Sequence, residues 1–170
     1  MRPGSAVSLT IRPATADDHE TLLSQLWALN RYEQEIAGDR RTDFSGALDS
    51  LAEALDAASQ RGGAVLLAEL DGEVAGHLFM FFQMDDAYVQ AELRGYAFIS
   101  SLFVEAHLRG KGGGQALLAR AEEIAAAHGV RRLRLYALAG NERARRVYEE
   151  AGFSIYGVEM MKSLHPKGTV

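Results

Sequence analysis

The sequence predicts an α/β fold: a mixed, mainly antiparallel sheet flanked by helices, in the order β-α-α-β-β-β-α-β-α-β. Three observations predict it. Short apolar runs of strand character alternate with stretches of helical periodicity. Asp71-Gly72 lies between two apolar runs and is a strong hairpin signal, which makes neighbouring strands antiparallel. The run His77 to Phe82 is apolar at every second and every intervening position, as expected of a central strand covered on both faces.

In order, Ser8 to Arg12 alternates and reads as a first strand ended by Pro13. Thr15 opens a helix as N-cap, with Asp17 and Asp18 in its first turn, and Leu22, Leu26 and Leu29 carry it to about Tyr32. Residues 33–41 read as a polar connection. Leu48, Leu51, Ala52 and Leu55 mark a second helix, stopped by Arg61-Gly62-Gly63. Strands follow over 64–70, 73–83 and about 96–104. A glycine loop leads into a helix from Gln115, which His128-Gly129 ends. A fifth strand is expected over 130–138, a short helix over 142–150 and a last strand over 153–161.

The chain has 170 residues, no cysteine and a net charge of −5. That length suits a single domain over 1–170, with its core at about 8–162. Without cysteine there is no disulfide framework, thiolate metal site or cysteine nucleophile, and the five histidines form no close ligand pairs, so no metal is expected. No 18-residue apolar run and no secretory h-region are present, which points away from the membrane and to the cytoplasm. The charge is uneven. Residues 1–95 hold 7 Lys/Arg against 16 Asp/Glu, and the remainder hold 11 against 7. A basic C-terminal half suits a polyanionic ligand; an acidic N-terminal half suits a cationic one. The run Arg131-Arg132-x-Arg134 hints at nucleic acid, but a net acidic chain without a basic groove interleaved with aromatics argues against that partner.

The chemistry centres on Leu102 to Ala119. An apolar strand ends at Val104, and Gly110, Gly112, Gly113 and Gly114 precede the helix. A strand, a glycine loop and a helix N-terminus leave backbone N–H groups free for an anion, and glycine lets that anion approach the backbone. It is not a Walker A loop, because Lys111 is followed by glycine. It is not a dinucleotide fingerprint either, because the third small residue and the acidic residue ending the next strand are missing. The pattern that fits is Arg109-x-x-Gly112-x-Gly114. Further on, Asn141 and Tyr148 lie seven residues apart, about two helical turns and so on one helix face, and Phe153 follows.

Together these two motifs, and the order of elements, resemble the GNAT superfamily of acetyl-CoA-dependent N-acetyltransferases, most specifically from Leu102 to Phe153. The resemblance implies that backbone groups of Leu102, Phe103 and Val104 pair with the pantetheine amides of acetyl-CoA. It implies that Arg109, Gly110, Lys111, Gly112, Gly113, Gly114 and Gln115 hold the pyrophosphate, and that Asn141 meets the pantetheine arm. An N–H near Leu102 would polarise the thioester carbonyl, and Tyr148 would protonate the leaving thiolate. Arg143, Arg145 and Arg146 would lie near the outer phosphate. The acceptor is then a primary amine attacking directly in a ternary complex. Seven carboxylates (Glu33, Glu35, Asp39, Asp43, Asp85, Asp86 and Glu92) in the framing connections favour a small cationic molecule. A protein N-terminus or lysine, and a non-catalytic acyl-CoA-binding regulatory module, are the alternatives. The resemblance leaves a homodimer open, since many members of the family dimerise, but the sequence does not fix the oligomeric state.

Two positions depart from the pattern. Gly113 stands where the loop usually carries an apolar residue, predicting a looser cradle. The places that often carry a basic glutamate hold Ser100, Ser101 and Tyr136. The expectation is therefore a water chain to a more distant carboxylate, Glu92 first and Glu69 second, and a rate that climbs toward the amine's own pKa.

Overall fold

The computed structural model describes residues 8–164. Five strands form one sheet in sequence order: β1 (Leu9–Pro13), β2 (Ala64–Leu70), β3 (Glu73–Met84), β4 (Gly95–Val104) and β5 (Leu133–Leu135). All pairings are antiparallel except β4 with β5, which is parallel. Four α-helices cover the sheet: α1 (His19–Ala37), α2 (Phe44–Gln60), α3 (Gly113–Ala127) and α4 (Glu142–Glu150). Asp71 and Gly72 have φ of 51° and 86°, the left-handed pair that a two-residue hairpin between β2 and β3 demands. On β3, Leu78 and Met80 face α3 while Phe79 faces α1 and α2, and all three are fully buried. That is the central strand the doubly apolar run predicts.

Three expectations need correction. The first helix does not end at Tyr32. It continues to Ala37 and stops at Gly38, whose φ of 76° and N–H bond to the Gln34 carbonyl cap it. Polar residues 33–35 belong to the solvated face of a helix, and polarity alone does not terminate one. Pro13 does end β1, as expected, at an edge position where its missing N–H is harmless. The last expected strand, 153–161, is absent, and β5 is three residues long instead of nine. The cause is β5 itself, which pairs with β4 only at Ala97↔Leu133, Phe98↔Arg134 and Ile99↔Leu135. With no longer ladder to join, residues 154–164 carry no regular secondary structure and are exposed.

This short parallel ladder positions the site. Beyond Ile99, β4 continues to Val104 with no β5 alongside, so the sheet splays open. The β3–β4 register also shifts there, from Phe79↔Ser101 to Met80↔Ile99, leaving Ser100 as the extra residue of a bulge. The Glu105 N–H bonds the Ala75 carbonyl on β3. By strand alternation Ser101 and Phe103 direct their backbone groups to β3, while Leu102 and Val104 direct theirs into the splay.

Candidate active site

At the end of β4, Arg109 folds back and its Nε donates to the Val104 carbonyl at 2.9 Å, pinning the loop to the strand. Burial, and then the neighbouring Arg143, lowers the pKa of this guanidinium from the usual arginine range. Gly110 and Gly112 take φ of 76° and 86°, turns that only glycine makes without strain. Gly112 is the N-cap of α3, which starts two residues earlier than the apolar stripe predicts. The first intrahelical bond runs from Ala116 N–H to the Gly112 carbonyl, so the N–H groups of Gly113, Gly114 and Gln115 lack intrahelical partners. Gly113 is buried, and a Cβ there would lie 3.8 Å from the Ala68 Cβ, so it seats the helix on β2.

A cleft of about 350 Å³ runs from this cradle along the open edge of β4 to α4. Leu102, Phe103, Val104, Arg109, Gly110, Gly112, Gly113, Gly114, Gln115, Asn141 and Tyr148 all line it; Lys111 does not and is exposed. Phe103 lines the cleft, but its backbone groups belong to the β3 ladder, so among these three strand residues only Leu102 and Val104 have main-chain groups for a ligand. Arg143 also lines the cleft, whereas Arg145 turns to Glu149 at 3.9 Å. Asn141 caps α4, its Oδ1 accepting from the Ala144 N–H and from the Tyr32 hydroxyl, both at 3.2 Å. That leaves its amide N–H₂ available to the cleft. Two turns on, burial and then the charge of Glu33 raise the Tyr148 phenol to about 12.

A smaller chamber of about 70 Å³ adjoins the cleft and shares Leu102, Asn141 and Tyr148 with it. Ser100, Ser101, Tyr136 and Glu33 complete its polar lining. Glu33 is its one carboxylate among the described residues, held by Arg40 Nε at 2.8 Å. It arrives on α1 one turn beyond Leu29, and the shortened helix read from sequence hid it. A helix extended to the stop at Gly38 places Glu33 on the face of Leu29, which was the available signal.

Neither Glu92 nor Glu69 lines the cleft or the chamber. Glu69 on β2 bonds Arg12 Nε at 2.7 Å, and Arg12 also holds Asp18, keeping that carboxyl well below its usual range. Of the seven framing carboxylates, Glu33 and Asp39 meet Arg40, Asp43 meets Arg41, and Asp85 meets Arg132 and Arg134. The basic run near β5 is therefore partly spent on Asp85, with Arg134 also over the rings of Tyr96 and Tyr156.

An open strand edge lies beside a glycine-capped helix N-terminus, with the half-buried Tyr148 across the cleft. The residues fit acetyl-CoA: free N–H groups for its phosphates, and for its amide arm the unpaired main chain of Leu102 and the outward N–H of Val104, whose carbonyl Arg109 already holds. The chain belongs to the acetyltransferase (GNAT) family, whose model matches residues 24–153. It is similar to the uncharacterized N-acetyltransferase YhfO of Bacillus subtilis (strain 168), at 33% identity over 89 residues. That match spans 52% of this chain and 57% of the relative. Among solved structures, a mutant of the BH1408 protein from Bacillus halodurans superposes with TM-score 0.81 at 22% identity, covering 92% of this chain and 99% of that one. A possible acetyltransferase from Clostridium difficile 630 follows at TM-score 0.68 and 20% identity, covering 92% and 99%. At such identities these two show the fold alone.

Proposed function

We propose that this chain transfers the acetyl group of acetyl-CoA to a small primary amine by direct attack in a ternary complex. The observation that carries the reading is the wall that the two cavities share, since Leu102, Asn141 and Tyr148 line both the cleft with the anion cradle and the chamber holding Glu33. Acetyl-CoA supplies an activated acyl thioester. Leu102 N–H, unpaired at the splay, holds the carbonyl oxygen where charge develops. Glu33 takes the proton the amine must lose, and Tyr148 supplies one to the departing sulfur. The small chamber favours a small acceptor over a peptide, and Glu33 favours one that is cationic before attack.

The test is thiol release from acetyl-CoA across a panel of primary amines and an amine-ended peptide. Turnover of small amines supports the reading. Turnover of the peptide alone would make the acceptor a protein, and acetyl-CoA binding without turnover would make the chain a binding module. Glu33→Gln should lower kcat/KM for the amine about 100-fold at neutral pH, with acetyl-CoA affinity unchanged. In that variant the rate should climb with pH toward the amine's own pKa. A Glu33→Gln enzyme with the wild-type pH profile would remove Glu33 from the mechanism.

We propose further that the functional unit is a homodimer. Ile155, Tyr156, Val158, Met160 and Met161 are 70–91% exposed, in a segment without regular structure whose Tyr156 lies against Arg132 and Arg134 at the open edge of β5. A strand edge and an exposed apolar segment on one chain complement each other across a twofold axis. Sedimentation should give a dimer at micromolar concentration, and Val158→Asp should yield a monomer; a wild-type monomer refutes this.

A further inference from the structure

The α1 side of the sheet is apolar, built from Leu22, Leu26, Leu67 and Phe79, yet two polar side chains sit fully buried in it. His77 on β3 lies with its ring edge-on to Phe79 (5.2 Å between centroids) and stacked on Phe103 (5.8 Å). Its Nδ1–H donates to Gln25 Oε1 at 2.9 Å. With that nitrogen protonated, Nε2 is left as an acceptor, and the Ser101 hydroxyl donates to it at 2.9 Å. Burial pushes the imidazole down to about 3, so the ring stays uncharged throughout the neutral range, and it is the Gln25 Oε1 acceptor that keeps its one proton on Nδ1.

The direction has a chemical consequence. A serine hydroxyl has one hydrogen, and here His77 receives it. What Ser101 presents to the small chamber, which it lines beside Glu33, is lone pairs only. We propose that Ser101 is the group that accepts the acceptor amine's N–H, and that buried His77 and Gln25 act as positioning residues that hold its hydroxyl in this orientation. The inference rests on the acetyltransfer reading above and names the group that aligns the amine for it. Ser101 accepts the hydrogen bond without taking the proton, which leaves by way of Glu33.

The energetics of the core point the same way. Gln25 Nε2 is buried with no hydrogen-bond partner among the described residues, and an unmet buried donor costs about 1–3 kcal/mol. Apolar residues of similar shape would pack at this position without that cost. A polar chain that weakens the core and ends at the chamber is better explained by what it orients than by what it stabilises.

The experiment uses linear primary amines from propylamine to 1,5-diaminopentane as acceptors, with acetyl-CoA binding followed separately by calorimetry. For the amine turned over best, Ser101→Ala should raise KM about tenfold, the loss expected for one hydrogen bond to a charged donor, with acetyl-CoA affinity unchanged. Ser101→Thr, which keeps the hydroxyl, should recover most of the loss. The double variant Gln25→Leu/His77→Phe should melt at or above the wild-type temperature and still raise the amine KM. Adding Ser101→Ala to it should change little more, because the three act as one chain. A folded Ser101→Ala enzyme with wild-type amine KM overturns the inference, as does a Gln25→Leu/His77→Phe enzyme with wild-type KM. A wild-type protein that binds acetyl-CoA but acetylates none of these amines is a different result: it removes the acetyltransfer reading, and this inference with it.

Discussion

Tyr148→Phe is expected to lower kcat about 100-fold while leaving the acetyl-CoA KM nearly constant, since the change removes a proton donor and keeps the ring. The geometry argues for this split. The ring packs edge-on to Phe153 at 6.0 Å and against the core shared with Val147 and Ala151, contacts that phenylalanine preserves. The hydroxyl is the part that changes. Burial and Glu33 raise its pKa to about 12, so it carries its proton throughout the physiological range. Because a thiol's pKa is about 8.5, it can assist the leaving sulfur only by donating a hydrogen bond or a proton in concert with C–S cleavage, not by protonating a free thiolate afterwards. The same shift makes Tyr148 unsuited to taking a proton from the amine, so the acid and base roles fall to different residues. Steady-state kinetics with a single-turnover control for product release checks the result; wild-type chemistry in the variant rules out the role.

Gly112→Val should weaken acetyl-CoA binding about 100-fold in a protein that still folds. Valine disfavours the left-handed turn by about 1–2 kcal/mol, which drives the loop out of its cradle shape, and the affinity lost is that of a charge-assisted N–H contact, about 1.5–3 kcal/mol. Gly112 has φ of 86°, and a Cβ there would meet nothing closer than Leu9 Cδ2 at 3.7 Å, so the core does not clash. The damage stays in the cradle. Gly114 separates the turn from the cleft. Its backbone is helical and a Cβ would lie 3.7 Å from Val104 Cγ2, an ordinary contact, so Gly114→Ala should fold normally and weaken acetyl-CoA only through a methyl group standing in the cleft. Calorimetric titration of both variants, with melting curves for fold, decides the matter. Equal affinities for Gly112→Val and wild type would remove the loop from phosphate binding.

The features legible from the sequence were those encoded in short segments. Asp71-Gly72 needs only its own two left-handed residues to turn β2 into β3. The cradle needs only a strand, Gly110 and Gly112, and a helix start. The spacing of Asn141 and Tyr148 follows from helical pitch once α4 exists, and both line the cleft. In each case residues a few positions apart carry the information, and local backbone preference expresses it. The doubly apolar run of β3 was legible for a related reason, since burial on two faces leaves its mark on every residue of the strand.

What depended on tertiary structure was every relation between distant segments. Glu33 reads as part of a polar connector until the helix is seen to continue to Gly38 and to lie over the splay. His77 reads as one more residue of an apolar strand until Gln25, 52 positions earlier, and Ser101, 24 positions later, close on its two nitrogens. The final strand failed because a strand is stable only with a partner ladder, and β5 offers three residues of one. Phe103 shows the same limit at one residue, since its side chain follows from the pattern while the direction of its main-chain groups follows from β3. Local propensity thus set the elements and the shape of the cradle. Pairing register and helix placement decided which proton carriers meet there, because hydrogen bonds between distant segments leave no periodic mark in the chain.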